Sequence, residues 1–276
     1  MKKKLLSLFA VVFTAFLLVG CSSSSNSSKK MTTLKIGASA VPHAQILRHV
    51  APQLKKEGVN LKITTFQDYT MPNKALANGE LDANYFQHIP FLKLWNKQNH
   101  GTLVNAGGVH LEPIAVFSKK VKKLQDLKKG ATIIVSSNVP DYGRILQIFK
   151  DAGLITLKKG IDITSANFSD IASNPRHLKF KHSYEPKLLP TIYKNGEGDA
   201  VVINANYAVG AGLNPIKQSI AIEKRDSPYV NIIATRKGDQ KKPAIKKLVK
   251  ALQSTSTQKW ILHHYKGAVL PEKNVK

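Results

Sequence analysis

Short apolar segments with a period of two alternate along the chain with segments whose apolar residues recur every three or four positions. Leu34–Ala38 and Leu61–Phe66 have the strand pattern, and the apolar residues of 46–54 between them mark one face of a helix. The buried strand pattern returns at Ala131–Ser136 and is followed by a helical segment over 138–152. Strands that alternate with helices predict an α/β fold with mostly parallel sheets.

The predicted elements divide into two groups, because the strand–helix units restart after Ser118. Gly107-Gly108 predicts a turn between two strands, and the final strand and helix are expected to return to the first group. We therefore predict two lobes, 34–112 plus 225–276 and 113–224, with a ligand cleft between them at the carboxyl ends of the strands. The predicted strands are 34–38, 61–66, 81–86, 102–105, 114–118, 131–136, 199–203 and 229–235. The predicted helices begin at 42, 72, 90, 121, 138 and 206, and a last one covers 245–252.

The first twenty residues have the pattern of a secretory signal. Three lysines at positions 2–4 precede an apolar stretch from Leu5 to Val19, which is shorter than the roughly 20 residues of a membrane-spanning helix. The small residues before Cys21 resemble a lipobox, so residues 1–20 are predicted to be a signal peptide. Cys21 is the predicted lipid attachment site on the extracytoplasmic face of the cell membrane. The serine-rich residues 21–33 are expected to be a flexible tether.

The chain is strongly basic, with 42 lysine and arginine residues against 17 acidic ones and a formal net charge of +25. Nucleic acid is the first partner that such a charge suggests. The predicted export signal argues against it, and the basic residues are dispersed without interleaved aromatic residues. We expect a solvated lysine surface beside an anionic membrane or cell wall, and no nucleic-acid partner.

The most specific motif of the chain is Asp82-Ala83-Asn84-Tyr85-Phe86-Gln87-His88. With several other motifs, in order along 34–264, it resembles the NlpA family of lipoproteins, the methionine-binding proteins of ABC importers. The resemblance implies a two-lobed periplasmic-binding fold of type II that closes on a free amino acid, methionine in its L or D form. It also implies an ATPase and a permease as partners, no cofactor and no enzymatic activity. The other motifs are 65–69, 72–76, 113–115, 118–120, Gly143-Arg144, 202–204 and 227–231.

An amino-acid zwitterion needs a cation for its carboxylate and oxygen acceptors for its ammonium group. Arg144 lies near the start of the helix that follows Ala131–Ser136, and a guanidinium can bind a carboxylate through two hydrogen bonds. The alternative from the residues alone is a surface arginine paired with Asp141. Asn204 and Asn231 follow or enter apolar strands, where an asparagine is either a turn residue or a polar ligand contact. The resemblance implies that all three bind the ligand.

Four aromatic or imidazole side chains fall near strand ends or helix starts in the first lobe. Aromatic rings make favourable contacts with a thioether sulfur of about 0.3–1.5 kcal/mol each. The resemblance implies that they form the pocket for the ligand side chain, although single aromatic residues are more often core residues. Phe91 stands where the family is expected to have tyrosine, and Asp141-Tyr142 also departs from the family pattern. These side chains are Tyr69, Phe86, His88 and Phe91.

Three other functions compete with this interpretation. An enzyme is disfavoured, because the sequence lacks nucleophile-elbow, zinc-protease and phosphate-loop motifs, and its one cysteine is the predicted lipid site. A metal-binding lipoprotein would need some of the nine histidines, which show no i, i+4 pair on a helix, so we predict no metal ligands. The third is a surface lipoprotein that adheres through its basic residues.

Overall fold

The computed structural model describes residues 31–225 and 227–272, so the predicted signal peptide, Cys21 and most of the predicted tether lie outside them. Neither range contains a helix that is long and apolar enough to cross a membrane. The strands are β1 Thr32–Ser39, β2 Val59–Phe66, β3 Ala83–His88, β4 Leu103–Leu111, β5 Ala115–Phe117, β6 Thr132–Ser136, β7 Thr156–Leu157, β8 Ile171–Ser173, β9 Lys179–Tyr184, β10 Ala200–Ile203, β11 Ser219–Ile222, β12 Val230–Arg236 and β13 Leu270–Pro271. The α-helices are α1 His43–Lys56, α2 Met71–Ala77, α3 Ile89–Asn99, α4 Tyr142–Asp151, α5 Leu189–Lys194, α6 Ala205–Gly210, α7 Pro215–Gln218, α8 Pro243–Leu252 and α9 Thr255–Tyr265.

The first sheet has the strand order β2-β1-β3-β12-β4-β13. Strand β1 pairs in parallel with β2 and β3, whereas β12 is antiparallel to β3 and β4. Helices α1, α8 and α9 cover it, because each turns an apolar face toward one continuous core. We refer to this sheet with its helices as the first lobe.

The second sheet has the order β11-β5-β10-β6-β9 and defines the second lobe. Strand β6 pairs in parallel with β9 and β10, and β5 is antiparallel to β10 and β11. Helix α4 packs its apolar residues into the core of this lobe. The strands of the first sheet come from 32–111 and 230–271, and those of the second sheet come from 115–222. The chain therefore enters the second lobe once and then returns to the first.

The structure confirms the α/β class and two lobes, and it corrects several local predictions. Both sheets are mixed, not mostly parallel. Strand β12 runs antiparallel to its neighbours in the first sheet, and β5 does so in the second. Residues 121–127 do not form an α-helix and contain only a 3-10 turn over Leu124–Asp126. A further helix, α9, follows the one predicted to be last.

Gly107-Gly108 lies inside β4 and does not form the predicted turn. Both glycines pair with β12 at places where the register shifts. A Cβ atom on Gly107 would lie 2.5 Å from a methyl group of Val249, and one on Gly108 would lie 2.5 Å from the Glu272 carboxylate. The glycines therefore serve close packing, a role that a sequence pattern does not distinguish from a turn.

Candidate functional site

Polar side chains from both lobes meet where the parallel strands end. Tyr69 follows β2, His88 ends β3, Asp141 lies between β6 and α4, and Asn204 follows β10 directly. The carboxyl ends of parallel strands are the usual ligand-binding edge of an α/β sheet. The two sheets thus place their binding edges opposite each other.

A small enclosed cavity lies between these strand ends, and all seven residues predicted to bind a ligand line it. Its volume of about 20 Å³ is close to what one water molecule needs. The walls must therefore move apart to admit an amino acid. Tyr69, Phe91 and Asn138 also line an open groove of about 780 Å³, so the groove adjoins the cavity. The residues around the cavity are Tyr69, Phe86, Gln87, His88, Phe91, Glu112, Asn138, Asp141, Arg144, Asn204, Ala205, Asn206 and Asn231.

Three aromatic rings form one wall of the cavity. The ring centroids of Phe86 and Phe91 are 5.4 Å apart, and each lies 6.1 Å from the centroid of Tyr69. The Phe86–Phe91 and Tyr69–Phe91 pairs are edge to face, which favours the ring quadrupoles. This wall offers an apolar and polarisable surface to a ligand side chain.

Arg144 also lines the cavity and is 3 % exposed. Its Nε donates to Glu223 Oε2 at 2.9 Å, and its Nη2 donates to the same oxygen and to the carbonyl oxygen of Glu112 at 2.6 Å. The guanidinium also stacks over the Tyr229 ring at 4.7 Å. Its main partner is therefore Glu223, and Asp141, the partner considered from the sequence, lies farther away at 3.6 Å from Nη1.

Asp141 is the most connected polar group of the cavity and is fully buried. Its Oδ1 accepts from His88 Nε2 at 3.1 Å, and its Oδ2 accepts from Asn138 at 2.5 Å and from Asn204 at 2.8 Å. Burial alone would raise the pKa of this carboxyl, but the donors and the nearby Arg144 charge hold the pKa well below its usual value. Asp141 is therefore an anion under all ordinary conditions.

Glu112 is the second carboxylate on the cavity wall, and two imidazoles hold it. Its Oε1 lies 2.7 Å from His110 Nε2 and 3.1 Å from His43 Nε2. Burial raises the pKa of Glu112, and the pKa values of His43 and His110 fall to about 4 and about 3, mainly through burial. Both histidines are neutral at pH 7. Asn231 joins this group through a 3.0 Å contact between its Oδ1 and His43 Nε2.

The ligand atoms of His43, His110 and Glu112 all lie within 4.8 Å of one another, so this cluster could hold a metal ion. The sequence did not indicate it, because the three residues come from different elements. Hydrogen bonds account for the same geometry. Tyr85 Oη bonds the remaining nitrogen of His110, and both Nε2 atoms point at the Glu112 carboxylate.

Two tyrosine hydroxyls connect the lobes beside the cavity. Tyr69 donates to Asn206 Oδ1 at 2.7 Å, and Tyr207 donates to the carbonyl oxygen of Gln67 at 3.1 Å. The His88–Asp141 contact also joins the first lobe to the second. These polar contacts hold the lobes closed, and each is a place where closure can be weakened.

Tyr69→Phe is expected to loosen the closed arrangement, because it leaves the 6 % exposed Asn206 without its donor. Such a loss costs about 1–3 kcal/mol. Small-angle X-ray scattering should therefore report a larger radius of gyration than for the unaltered protein. Tyr142→Phe is the matched control, since its hydroxyl contacts His182 within the second lobe. An unchanged radius in Tyr69→Phe would mean that this bond does not govern closure.

The structure brings together every residue that the sequence predicted for the site, and it adds others. The most important additions are Glu112, Asn206 and Glu223. Glu112 directly follows β4, and Asn206 lies just after β10, so position after a strand was an available signal for both. Glu223 carried no signal, because it reaches Arg144 from 79 residues away.

Two α/β lobes that close over a cavity lined by aromatic and polar side chains define a two-lobed substrate-binding protein. The chain belongs to the NlpA lipoprotein family, because the sequence model of that family matches residues 34–273. It is 45 % identical over 273 residues to the methionine-binding lipoprotein MetQ of Bacillus subtilis (strain 168), an alignment that covers 98 % of this chain and 99 % of that protein.

Solved structures of similar lipoproteins and binding proteins also match the chain in sequence and in fold. A YaeC-family lipoprotein of Enterococcus faecalis V583, described as a pheromone cOB1 precursor, is 55 % identical with a TM-score of 0.84, over 87 % of this chain and 100 % of that one. A nutrient-binding protein of Burkholderia cenocepacia, solved bound to methionine, is 40 % identical with a TM-score of 0.81, again over 87 % and 100 %.

Proposed function

We propose that this chain is the lipid-anchored binding protein of an ABC importer and that it captures methionine. The observation that carries the proposal is the convergence of the seven predicted residues on one small cavity, which is lined by aromatic rings together with charged and amide groups. The methionine-binding relative in B. subtilis and the methionine-bound neighbour support the ligand. Family membership supports the importer role and an anchor at Cys21.

In this proposal the lobes open, admit the amino acid from the groove and close over it. The thioether contacts Phe86 and Phe91, while the polar ends face Arg144, Asp141 and Asn204. Only the closed state contacts the ligand from both sides, so binding shifts the population toward closure. The chain performs no bond-making step in this role, which is why we also propose that it is not an enzyme.

Phe91→Ala is expected to weaken methionine binding about tenfold, a loss of about 1.4 kcal/mol that matches one or two lost sulfur–ring contacts. Isothermal titration of the full chain in detergent with L- and D-methionine measures the effect. Leu94→Ala is the control, because Leu94 lies three residues along the same helix and lines the groove instead of the cavity. Absence of methionine binding at millimolar concentration would remove the proposed function.

Metal binding is the second candidate, and the cluster of His43, His110 and Glu112 is the observation that favours it. The same titration separates the two, when it is run before and after dialysis against a chelator. Methionine affinity that survives dialysis, in protein without bound metal by elemental analysis, supports the first function. One bound metal ion per chain in the unaltered protein, and none in the His110→Gln variant, would support metal binding.

A further inference from the structure

Two segments of the first lobe meet at the end of the sheet where β1 begins. The N–H of Thr32 donates to the carbonyl oxygen of Gly58 at 2.9 Å, directly after the last turn of α1. Lys247 approaches the same turn from α8, because its Nζ donates to the carbonyl oxygen of Glu57 at 2.6 Å. We refer to these two segments as the lysine end, and they are residues 55–58 and 237–247.

The lysine end has a large excess of positive charge. It contains seven lysines against two carboxylates, Glu57 and Asp239. Asp239 is already paired, because its two oxygens lie 2.8 Å from Lys242 Nζ and 2.9 Å from Arg236 Nη2. Like charges at this density repel one another, so an anionic partner would stabilise them. Six of the lysines are exposed and Lys247 is half-buried; the seven are Lys55, Lys56, Lys237, Lys241, Lys242, Lys246 and Lys247.

The sequence before β1 indicates which anionic partner is within reach. Cys21, the proposed lipid site, lies eleven residues before Thr32. A chain spans at most about 3.3–3.6 Å per residue, so a lipid at Cys21 keeps the lysine end within about 40 Å of the bilayer surface. Lys29 and Lys30 add two positive charges to this connection. The tether therefore gives anionic headgroups a high effective concentration at the lysine end.

The lysine end and the cavity lie at opposite ends of the same strands. Strands β1, β2 and β3 run parallel, and Thr32 pairs with Val59 at the amino ends of the first two. Tyr69 follows the carboxyl end of β2, and His88 ends β3, where both line the cavity. The eight residues of β1 span about 26 Å between the two ends. A body that rests on its lysine end thus turns its cleft away from the surface beneath it.

We propose that the lysine end docks on the headgroups of anionic phospholipids and holds the body upright on the membrane, with its cleft facing the solvent from which the ligand arrives. The proposal rests on the proposed anchor at Cys21 and adds a contact that orients the body. The acyl chains supply the attachment itself, so the lysines set orientation. The attraction acts between exposed charges and is therefore screened by salt.

The orientation can be measured by energy transfer from a dye on the protein to acceptor lipids. The lipidated chain is placed in vesicles of phosphatidylcholine alone, or of equal parts of phosphatidylcholine and phosphatidylglycerol. Lipidation consumes the thiol of Cys21, the one cysteine of the chain, so an added cysteine is labelled specifically. Asn60→Cys places the dye at the exposed start of β2, and Val139→Cys places it on the groove beside the cavity.

We expect energy transfer from the dye of Asn60→Cys to rise at least about twofold when phosphatidylglycerol is present, because anionic headgroups attract nearby lysines. Transfer from the dye of Val139→Cys should stay low in both kinds of vesicle. A high salt concentration should abolish the rise at Asn60→Cys, since the Debye length falls to about 3 Å at 1 M. Equal transfer from Asn60→Cys in the two kinds of vesicle would overturn the proposal.

Two variants that each remove four exposed lysine charges test whether the effect belongs to the lysine end. The first should abolish the rise in transfer, and the second, in the second lobe, should leave it unchanged. Equal losses in both variants would mean that net charge alone is responsible and would overturn the proposal. The first variant combines Lys55→Gln, Lys56→Gln, Lys241→Gln and Lys246→Gln, and the second combines Lys122→Gln, Lys123→Gln, Lys128→Gln and Lys129→Gln.

The same vesicles separate this proposal from the anchor and the ligand on which the proposed function depends. Protein that leaves the vesicles in high salt would refute the anchor, whereas retained protein with equal transfer in both lipids would refute docking alone. Methionine affinity should be the same in the first four-lysine variant and the unaltered chain, because the substituted lysines are remote from the cavity. Equal transfer in both lipids together with lysine-dependent binding of soluble polyphosphate would assign the lysine end to a free polyanion and overturn the membrane contact.

Discussion

Arg144→Ala is expected to lower the free energy of unfolding by about 3–5 kcal/mol, the cost of removing one member of a buried ion pair. Glu223 would be left as a carboxylate without a counter-ion, and the carbonyl oxygen of Glu112 would lose its donor. In a protein of this size the midpoint of thermal unfolding should fall by roughly 6–20 °C. Circular dichroism during heating measures it, and methionine binding should weaken in the same variant.

Two further variants test whether burial of the ion pair and the unpaired carboxylate cause the loss of stability. Lys120→Ala removes an ion pair with Asp199 on the surface, where the lysine side chain is 53 % exposed, and should change the stability by at most about 1 kcal/mol. Adding Glu223→Gln to Arg144→Ala should recover most of the lost stability, because the glutamine is neutral and keeps an acceptor for the N–H of Ile114. A double variant as unstable as the single one would show that the unpaired carboxylate is not the cause.

The fold was predictable where local pattern and tertiary structure agree. Helix α1 follows its apolar positions, and β1, β2 and β6 coincide with the predicted strands to within two residues. Strand β12 was also predicted, over 229–235, but its antiparallel pairing was not predictable. Its neighbours in the sheet are β3 and β4, which lie more than a hundred residues earlier, and local periodicity does not record such pairing.

The same distinction between local and long-range information applies to the site. The positions of Tyr69, His88 and Asn204 at the cavity could be predicted, because a polar or aromatic residue after a strand lies at the binding edge of an α/β sheet. The charges and ion pairs of the cavity could not be predicted. From the sequence, Asp141 was a possible surface partner of Arg144 and part of a departure from the family pattern, but burial and three donors make it the central anion of the cavity. Charge balance in a closed cavity depends on which distant side chains meet there.

Gly143→Ala is expected to lower the free energy of unfolding by about 3 kcal/mol, at the upper end of the usual cost of overpacking. Helix propensity predicts the opposite, since alanine in a helix is favoured over glycine by about 1 kcal/mol. The clash decides, because a Cβ at this position would lie 1.6 Å from the carbonyl oxygen of Ile163 and 3.1 Å from the Tyr229 hydroxyl. A backbone carbonyl cannot rotate away as a flexible side chain could, so α4 has to move.

That movement would displace Arg144 and Asp141, which flank the first turn of the helix, so methionine affinity should fall together with thermal stability. Gly210→Ala is the matched control. Gly210 is also helical, and a Cβ there meets nothing within 4 Å. Heating both variants should give opposite signs, with a midpoint lowered by roughly 6–12 °C for Gly143→Ala and unchanged or slightly raised for Gly210→Ala. Equal midpoints would contradict the close approach of α4 to Ile163, and with it the reason that a glycine precedes Arg144.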